Sequence, residues 1–268
     1  MKQLLKICSF AAIVIFIYIF ALYNLQDNFI FYPNKYYISP QQADTPVFQE
    51  NIIIADDGNK IMTWYAQGQK NKPAILFFHG NAFQISAFAE QLRPLINAGY
   101  TVLAMEYRGF GNTLGDTRQE RIFADAAIVF DWLKAQEYPE IIVYGYSYGC
   151  AVSLGLTTLR KPNRLILTAP FASLIRLVKE KPVPFAAIVL KDHYPSEQYI
   201  TSLNIPLLII HGRKDKLIPY HHSQILYDNA ASPKKNLVLL DNVTHHSIYF
   251  SYYNMPIILN WLQENQPK

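Results

Sequence analysis

From Pro73 onward the chain alternates between short apolar runs and longer amphipathic stretches, and this alternation leaves few folds open. The runs 74–78, 101–106, 141–146, 165–169, 207–211 and 237–241 are near-continuous apolar segments. Their length and composition suit strands covered on both faces. Helical segments fall between them at 84–98, 119–135, 148–160, 221–230 and 248–263. Strands covered on both sides and separated by helices predict the α/β class, with a mostly parallel, doubly wound sheet. Ahead of them, 51–55 and 61–66 flank the turn signal Asp56-Asp57-Gly58-Asn59, which predicts an amino-terminal hairpin. With 51% hydrophobic and 16% charged residues in 268 positions, there is ample material for one large core.

The amino end is set apart from this pattern. Residues 7–26 are 20 consecutive uncharged positions, preceded by Lys2 and Lys6. As a helix they would span about 30 Å, enough to cross a hydrocarbon core. The lysines predict a cytoplasmic amino end, with the body on the opposite, periplasmic or lumenal side. A cleaved signal peptide would need small residues at its end, whereas the segment closes on Phe20-Ala21-Leu22-Tyr23-Asn24-Leu25. The expected division is therefore an uncleaved anchor over 1–26 and a catalytic domain over 27–268. Residues 28–46, with Pro33, Pro40 and Pro46, read as an irregular linker. A helix lying in lipid has no need to pack on that body.

Chemistry concentrates at Gly145-Tyr146-Ser147-Tyr148-Gly149. A G-x-S-x-G match arises by chance in about one chain in ten of this length, so the flanks decide. A strand runs into it, and a helix of small residues from Cys150 leaves it. That is the setting of a nucleophile elbow, where a strained turn lifts the serine hydroxyl above the sheet. Serine is a weak nucleophile and needs a base oriented by a third group. Asp215 follows the strand 207–211, and His245 and His246 follow the strand 237–241. All three lie beyond strand carboxyl ends, where active-site loops of open α/β sheets gather, and in the chain order serine, acid, histidine. His245 is the favoured base and His246 the alternative. The backbone N–H groups of Asn81, in the turn after the first buried strand, and of Tyr148 are candidates for an oxyanion hole. His79 reads as a structural histidine packing that turn.

The runs Phe77-Phe78-His79-Gly80-Asn81-Ala82, Glu106-Tyr107-Arg108-Gly109-Phe110-Gly111 and His211-Gly212-Arg213-Lys214-Asp215, together with the elbow, resemble the serine α/β-hydrolases. The resemblance is nearest to the branch with one amino-terminal anchor, the abhydrolase domain-containing proteins. It implies the α/β-hydrolase fold, esterase, lipase or thioesterase chemistry, and triad roles for Ser147, Asp215 and His245. The chain departs from the family pattern in three places. Glu106 stands for aspartate, Tyr148 stands for leucine in a position that would narrow an acyl pocket, and Val243-Thr244 stand for a glycine-rich approach to the histidine.

Other classes fit less well. Lysine and arginine are scattered at a net charge of +4, with no run longer than pairs such as Lys234-Lys235, so no nucleic-acid partner is expected. Gly109-Phe110-Gly111 to Gly115 is one residue too long for a dinucleotide loop. Histidines and cysteines lack metal-ligand spacing, and Cys8 and Cys150 make no disulfide framework. No cofactor is expected. The expected partners are an acyl-ester or lipid-like substrate and the membrane. The competing reading is a membrane-tethered scaffold that keeps the fold without the chemistry. The segment between Ala169 and Ile205 is expected to cover the substrate; its apolar runs 171–178 and 185–190 suit either the lining of an acyl pocket or ordinary helix packing.

Overall fold

The computed structural model describes residues 1–34, 36–249 and 251–265. Helix α1 (Lys2–Ile30) leads into a two-residue strand β1 (Tyr32–Pro33). The hairpin β2 (Gln49–Ile54) and β3 (Lys60–Ala66) follows, then β4 (Ala74–Phe78), the short β5 (Ala82–Phe83), α2 (Ala89–Asn97) and β6 (Thr101–Met105). The remainder runs α3 (Gln119–Lys134), β7 (Ile141–Tyr146), α4 (Tyr148–Leu159), β8 (Arg164–Thr168), α5 (Leu174–Lys179), α6 (Ser196–Tyr199), β9 (Leu207–Gly212), α7 (His221–Asn229), β10 (Lys235–Leu240) and α8 (Ser251–Glu264). The helix expected over 248–263 includes Phe250, which lies outside the described residues.

Eight strands form one sheet in the order β10-β9-β8-β7-β4-β6-β3-β2. The six from β6 to β10 pair in parallel, and the hairpin joins antiparallel through β3 and β6. This is the doubly wound α/β-hydrolase sheet. Alternate side chains feed two cores, as a pleat with period two requires. Leu76, Phe78 and Val143 pack with α3 and α4 on one face. Ile75, Phe77 and Ile142 pack with α2 and α8 on the other. β10 differs from expectation: it starts at Lys235 and is only half covered, because it is the sheet's edge strand.

Two corrections concern the amino end. The helix runs to Ile30, past the expected limit at residue 26. The segment after it is also not wholly irregular, because β1 pairs in parallel with β5. Phe31 is buried against Phe110 and Tyr148 with edge-on rings. Nor does α1 ignore the body. The Tyr18 hydroxyl donates to the Pro184 carbonyl (3.0 Å), and Gln26 donates to the Val189 carbonyl (3.0 Å) and accepts from Lys191 N–H (2.8 Å).

Candidate active site

β7 delivers Ser147 into a turn with φ 53° and ψ −117°. A left-handed conformation costs a non-glycine residue about 1–3 kcal/mol. The surroundings hold it there: Ser147 N–H donates to the Thr168 carbonyl (2.8 Å), and Cys150 N–H donates to the Ser147 carbonyl (3.0 Å). A side chain at Gly149 would collide with the Phe78 carbonyl, and one at Gly145 with the Gly149 carbonyl. Glycine at these two positions lets the turn pack directly on β4 and on the first turn of α4.

The structure brings Ser147, His245 and Asp215 into one hydrogen-bonded line. His245 Nε2 lies 3.0 Å from Ser147 Oγ, and its Nδ1 lies 2.6 Å from Asp215 Oδ2. Asp215 is buried, and its other oxygen accepts the N–H groups of Leu217 (2.9 Å) and Ile218 (2.8 Å). Burial alone would push its carboxyl up. Hydrogen bonds from His211 and His245, with the Ile218 amide, outweigh that and hold it well below the usual carboxylate range. With Nδ1 facing a carboxylate it must donate, which leaves Nε2 free to accept the serine proton. His246 is exposed at the rim of the same cleft.

Two supporting residues escaped the sequence reading. His211 Nε2 faces both Asp215 Oδ2 (3.2 Å) and the Ile218 carbonyl (2.9 Å), so it donates, while Nδ1 meets the Ser223 hydroxyl at 2.6 Å. It steadies the loop that carries the acid. Its signal was a histidine at a strand's carboxyl end, four residues before the aspartate. Tyr146 donates its hydroxyl to the His245 carbonyl (3.0 Å), and its ring lies 5.6 Å from the imidazole. Burial raises the pKa of that phenol, so it stays a donor.

Across the cleft, His79 is fully buried, as a packing histidine should be. Its Nδ1 donates to the Gly80 carbonyl (2.7 Å), and its Nε2 meets Glu106 (2.9 Å). Glu106 also accepts from Ile85 N–H (3.0 Å), so the longer acid bridges two segments of this turn. Asn81 is fixed from the anchor side: its side chain donates to the Ile30 carbonyl (2.5 Å), and its own carbonyl accepts Tyr32 N–H (2.9 Å). Tyr148 points away from the cleft. Its hydroxyl pairs with that of Tyr194 (2.7 Å) and its ring packs on Phe31, so it does not narrow the pocket.

The cleft above Ser147 is open to solvent and is walled by Phe83, Phe88, Tyr146, Leu217 and Tyr249. No residue between 170 and 205 lines it, so of the two readings of that segment's apolar runs ordinary packing holds for Phe171 and Leu174. Only its stretch from Pro184 to Lys191 touches α1, while Phe171, Leu174, Tyr194 and Ile200 pack in the body's core. Among the described residues one cluster has metal-ligand chemistry, Glu180 with His221 and His222. His222 Nδ1 accepts from Ala172 N–H (3.2 Å), so its proton sits on Nε2, the nitrogen facing Glu180. A ring that donates there offers no lone pair to a metal.

Sheet order, elbow and loop positions define an α/β-hydrolase. Residues 69–202 and 195–249 match the family described as Hydrolase_4, serine aminopeptidase S33, and the chain belongs to it. An uncharacterized protein of Mycobacterium tuberculosis is 31% identical over 242 residues, which cover 88% of this chain and 86% of the relative. Lysophosphatidylserine lipase ABHD12 of Xenopus tropicalis is 27% identical, over 87% of this chain and 69% of the relative. In fold the chain is similar to the Pyrococcus furiosus esterase Pf2001, with a TM-score of 0.67 at 20% identity, over 87% of this chain and 96% of that one.

Proposed function

We propose that this chain is a membrane-anchored serine hydrolase that cleaves carboxylic or thio esters through an acyl-enzyme. The observation that carries the reading is the line Ser147–His245–Asp215, with 3.0 Å and 2.6 Å between its members. His245 takes the Ser147 proton as Oγ attacks the carbonyl carbon, then passes it to the leaving alcohol or thiol. Asp215 keeps the imidazole in the accepting tautomer and stabilises its cation. The N–H groups of Asn81 and Tyr148 receive the oxyanion. Tyr148 opens α4, where a helix amino end adds partial positive charge. Water, activated by the same histidine, then releases the acid.

The apolar cleft walls favour an acyl chain, and a lysophospholipid lipase among the relatives points to lipid-like esters. α1 is long and apolar enough to cross a bilayer, and none of its most apolar 18-residue window is buried. With Lys2 and Lys6 on the cytoplasmic side, the body stands on the opposite face. The test is labelling of the full chain by a fluorophosphonate, followed by a series of p-nitrophenyl esters of increasing chain length. An unlabelled, folded protein that turns over no ester would overturn the reading.

A further inference from the structure

Residues 182–190 read Pro182-Val183-Pro184-Phe185-Ala186-Ala187-Ile188-Val189-Leu190, nine apolar positions without a charge. In a water-soluble body such a stretch would be core. Here Val183 and Phe185 are nearly half exposed, and Ile188 is 80% exposed. Single exposed apolar residues need no explanation, but a contiguous patch does. Lysines bracket it, with Lys179 and Lys181 before and Lys191 after.

Much of the backbone of this stretch is paired locally, which favours hydrocarbon, where unpaired polar groups are costly. Pro182 and Pro184 have no N–H to satisfy. Val183 N–H donates to Lys181, Ala186 N–H to Val183, Ile188 N–H to Phe185 and Val189 N–H to Ala186, all within the segment and its base. The carbonyls of Pro184 and Val189 accept from Tyr18 and Gln26 of α1. Phe185 holds the turn at φ 63°, a strained conformation for an aromatic residue that presents its ring outward.

The contacts also give a depth. Gln26 and Asp27 meet Val189 and Lys191, and Lys191 lies over the Tyr23 ring at 5.1 Å. An ion pair, a lysine and a tyrosine mark the level of a bilayer surface. Tyr18 meets Pro184 eight residues earlier in α1, about 12 Å further along the helix axis. Half of a hydrocarbon core is about 15 Å. From these observations we infer that residues 182–190 form a second membrane-inserted element, a loop immersed in the hydrocarbon of one leaflet beside α1. This rests on the reading of α1 as an anchor. The base of the loop reaches the cleft: Lys181 Nζ donates to the carbonyl of Leu217, a cleft wall residue (2.8 Å). On the other wall, Asn81 is tied to Ile30 at the end of α1. The mouth of the cleft is thus held between two membrane-seated elements and takes its acyl ester directly from the bilayer.

The test uses the full chain with Cys8→Ser, reconstituted in phosphatidylcholine vesicles. Buried Cys150 does not label. An environment-sensitive fluorophore on Ile188→Cys, or independently on Val183→Cys, should lose most of its emission to lipids bearing a nitroxide deep in the acyl chain, and little to aqueous iodide. The same fluorophore on Val14→Cys reports on α1. Acyl-chain quenching at Val14 with iodide quenching at both loop positions would overturn the loop and leave the anchor standing. Iodide quenching at all three would overturn the anchor reading and the loop with it.

Discussion

Every side chain of β4 and β7 is buried, and Ile75, Leu76, Ile142 and Val143 are wholly shut from solvent. Along α1, by contrast, Phe10, Phe16, Ile17 and Phe20 stand 59% to 70% exposed with much the same chemistry. The body gains its stability by removing apolar surface from water, at about 25 cal/mol per Å². α1 and the 182–190 loop gain little that way, and on the membrane reading proposed above they gain it from hydrocarbon instead. The difference separates two jobs, chemistry in the body and location at the amino end, with the contacts at Asn81, Phe31 and Glu180 as the joints between them. Each prediction below tests whether that separation holds.

The largest effect belongs wholly to the body. Ser147→Ala should lower ester turnover by about 10³-fold or more, abolish fluorophosphonate labelling and leave membrane attachment untouched. A folded variant with undiminished hydrolysis would sink the mechanism. Next, His245→Ala should cost about 10²–10⁴-fold, the range of a lost general base. His246→Ala, at the exposed rim, should have a far smaller effect. If kcat/KM fell more for His246→Ala, the base would be the second histidine, reached through a rearranged loop.

How far these residues could be read in the sequence depends on how local their signals are. The elbow is local: an apolar strand, two glycines and a helix of small residues lie within a dozen positions, so Ser147 was legible. Asp215 and His245 were legible because each follows directly on an apolar run. Strand limits came within two residues, as at β8, read as 165–169 and found at Arg164–Thr168. What stayed hidden depends on distant partners. Asn81 bonds Ile30 across 51 positions, and β1 has only two residues, too few to show a period. The apolar runs between 170 and 205 were legible as apolar, but composition does not distinguish a side chain facing an acyl pocket from one facing lipid. Only the contacts to Tyr18 and Gln26 make that distinction.

The third prediction cuts between the two regions. A chain beginning at Asp27 keeps Phe31, β1 and the Ile30 carbonyl. It should hydrolyse a soluble short-chain ester as fast as the full chain while losing its stable anchorage, so that only the 182–190 loop holds it weakly and reversibly to vesicles. A chain beginning at Ser39 loses them. Removing the buried Phe31 ring alone costs about 3–5 kcal/mol, and Asn81 loses the partners that fix its peptide, so thermal stability and turnover should both fall. Equal activity in the two truncations would mean that the amino-terminal joint does not support the site. Loss of activity already at Asp27 would mean that α1 itself does.

The smallest effect lies at the joint beside the loop. Glu180 immediately precedes Lys181 and bonds both His221 (2.9 Å) and His222 (3.3 Å) on α7. Burial pushes the His222 pKa down to about 4, and the neighbouring His221 and His211 push the same way, while Glu180 opposes them. An unfolded chain titrates its histidines near 6.5. Between those values the unfolded state takes up a proton that the folded state refuses. The contribution to stability is therefore complete above about pH 6.5 and is lost as pH falls toward 4. His222→Gln removes this term while keeping an acceptor for Ala172 N–H. The melting temperature of the chain beginning at Asp27 should drop between pH 7 and pH 4.5, and drop less in the variant. In a protein of this size each kcal/mol corresponds to about 2–4 °C, so the difference is a few degrees. Equal losses in the two proteins would remove His222 as the source. The same scan should leave vesicle attachment of the full chain unchanged, because residues 7–26 contain no carboxylate or imidazole to titrate. Release from the membrane at pH 4.5 would show that attachment depends on the charges at the joint rather than on apolar burial, and would break the separation between the two regions.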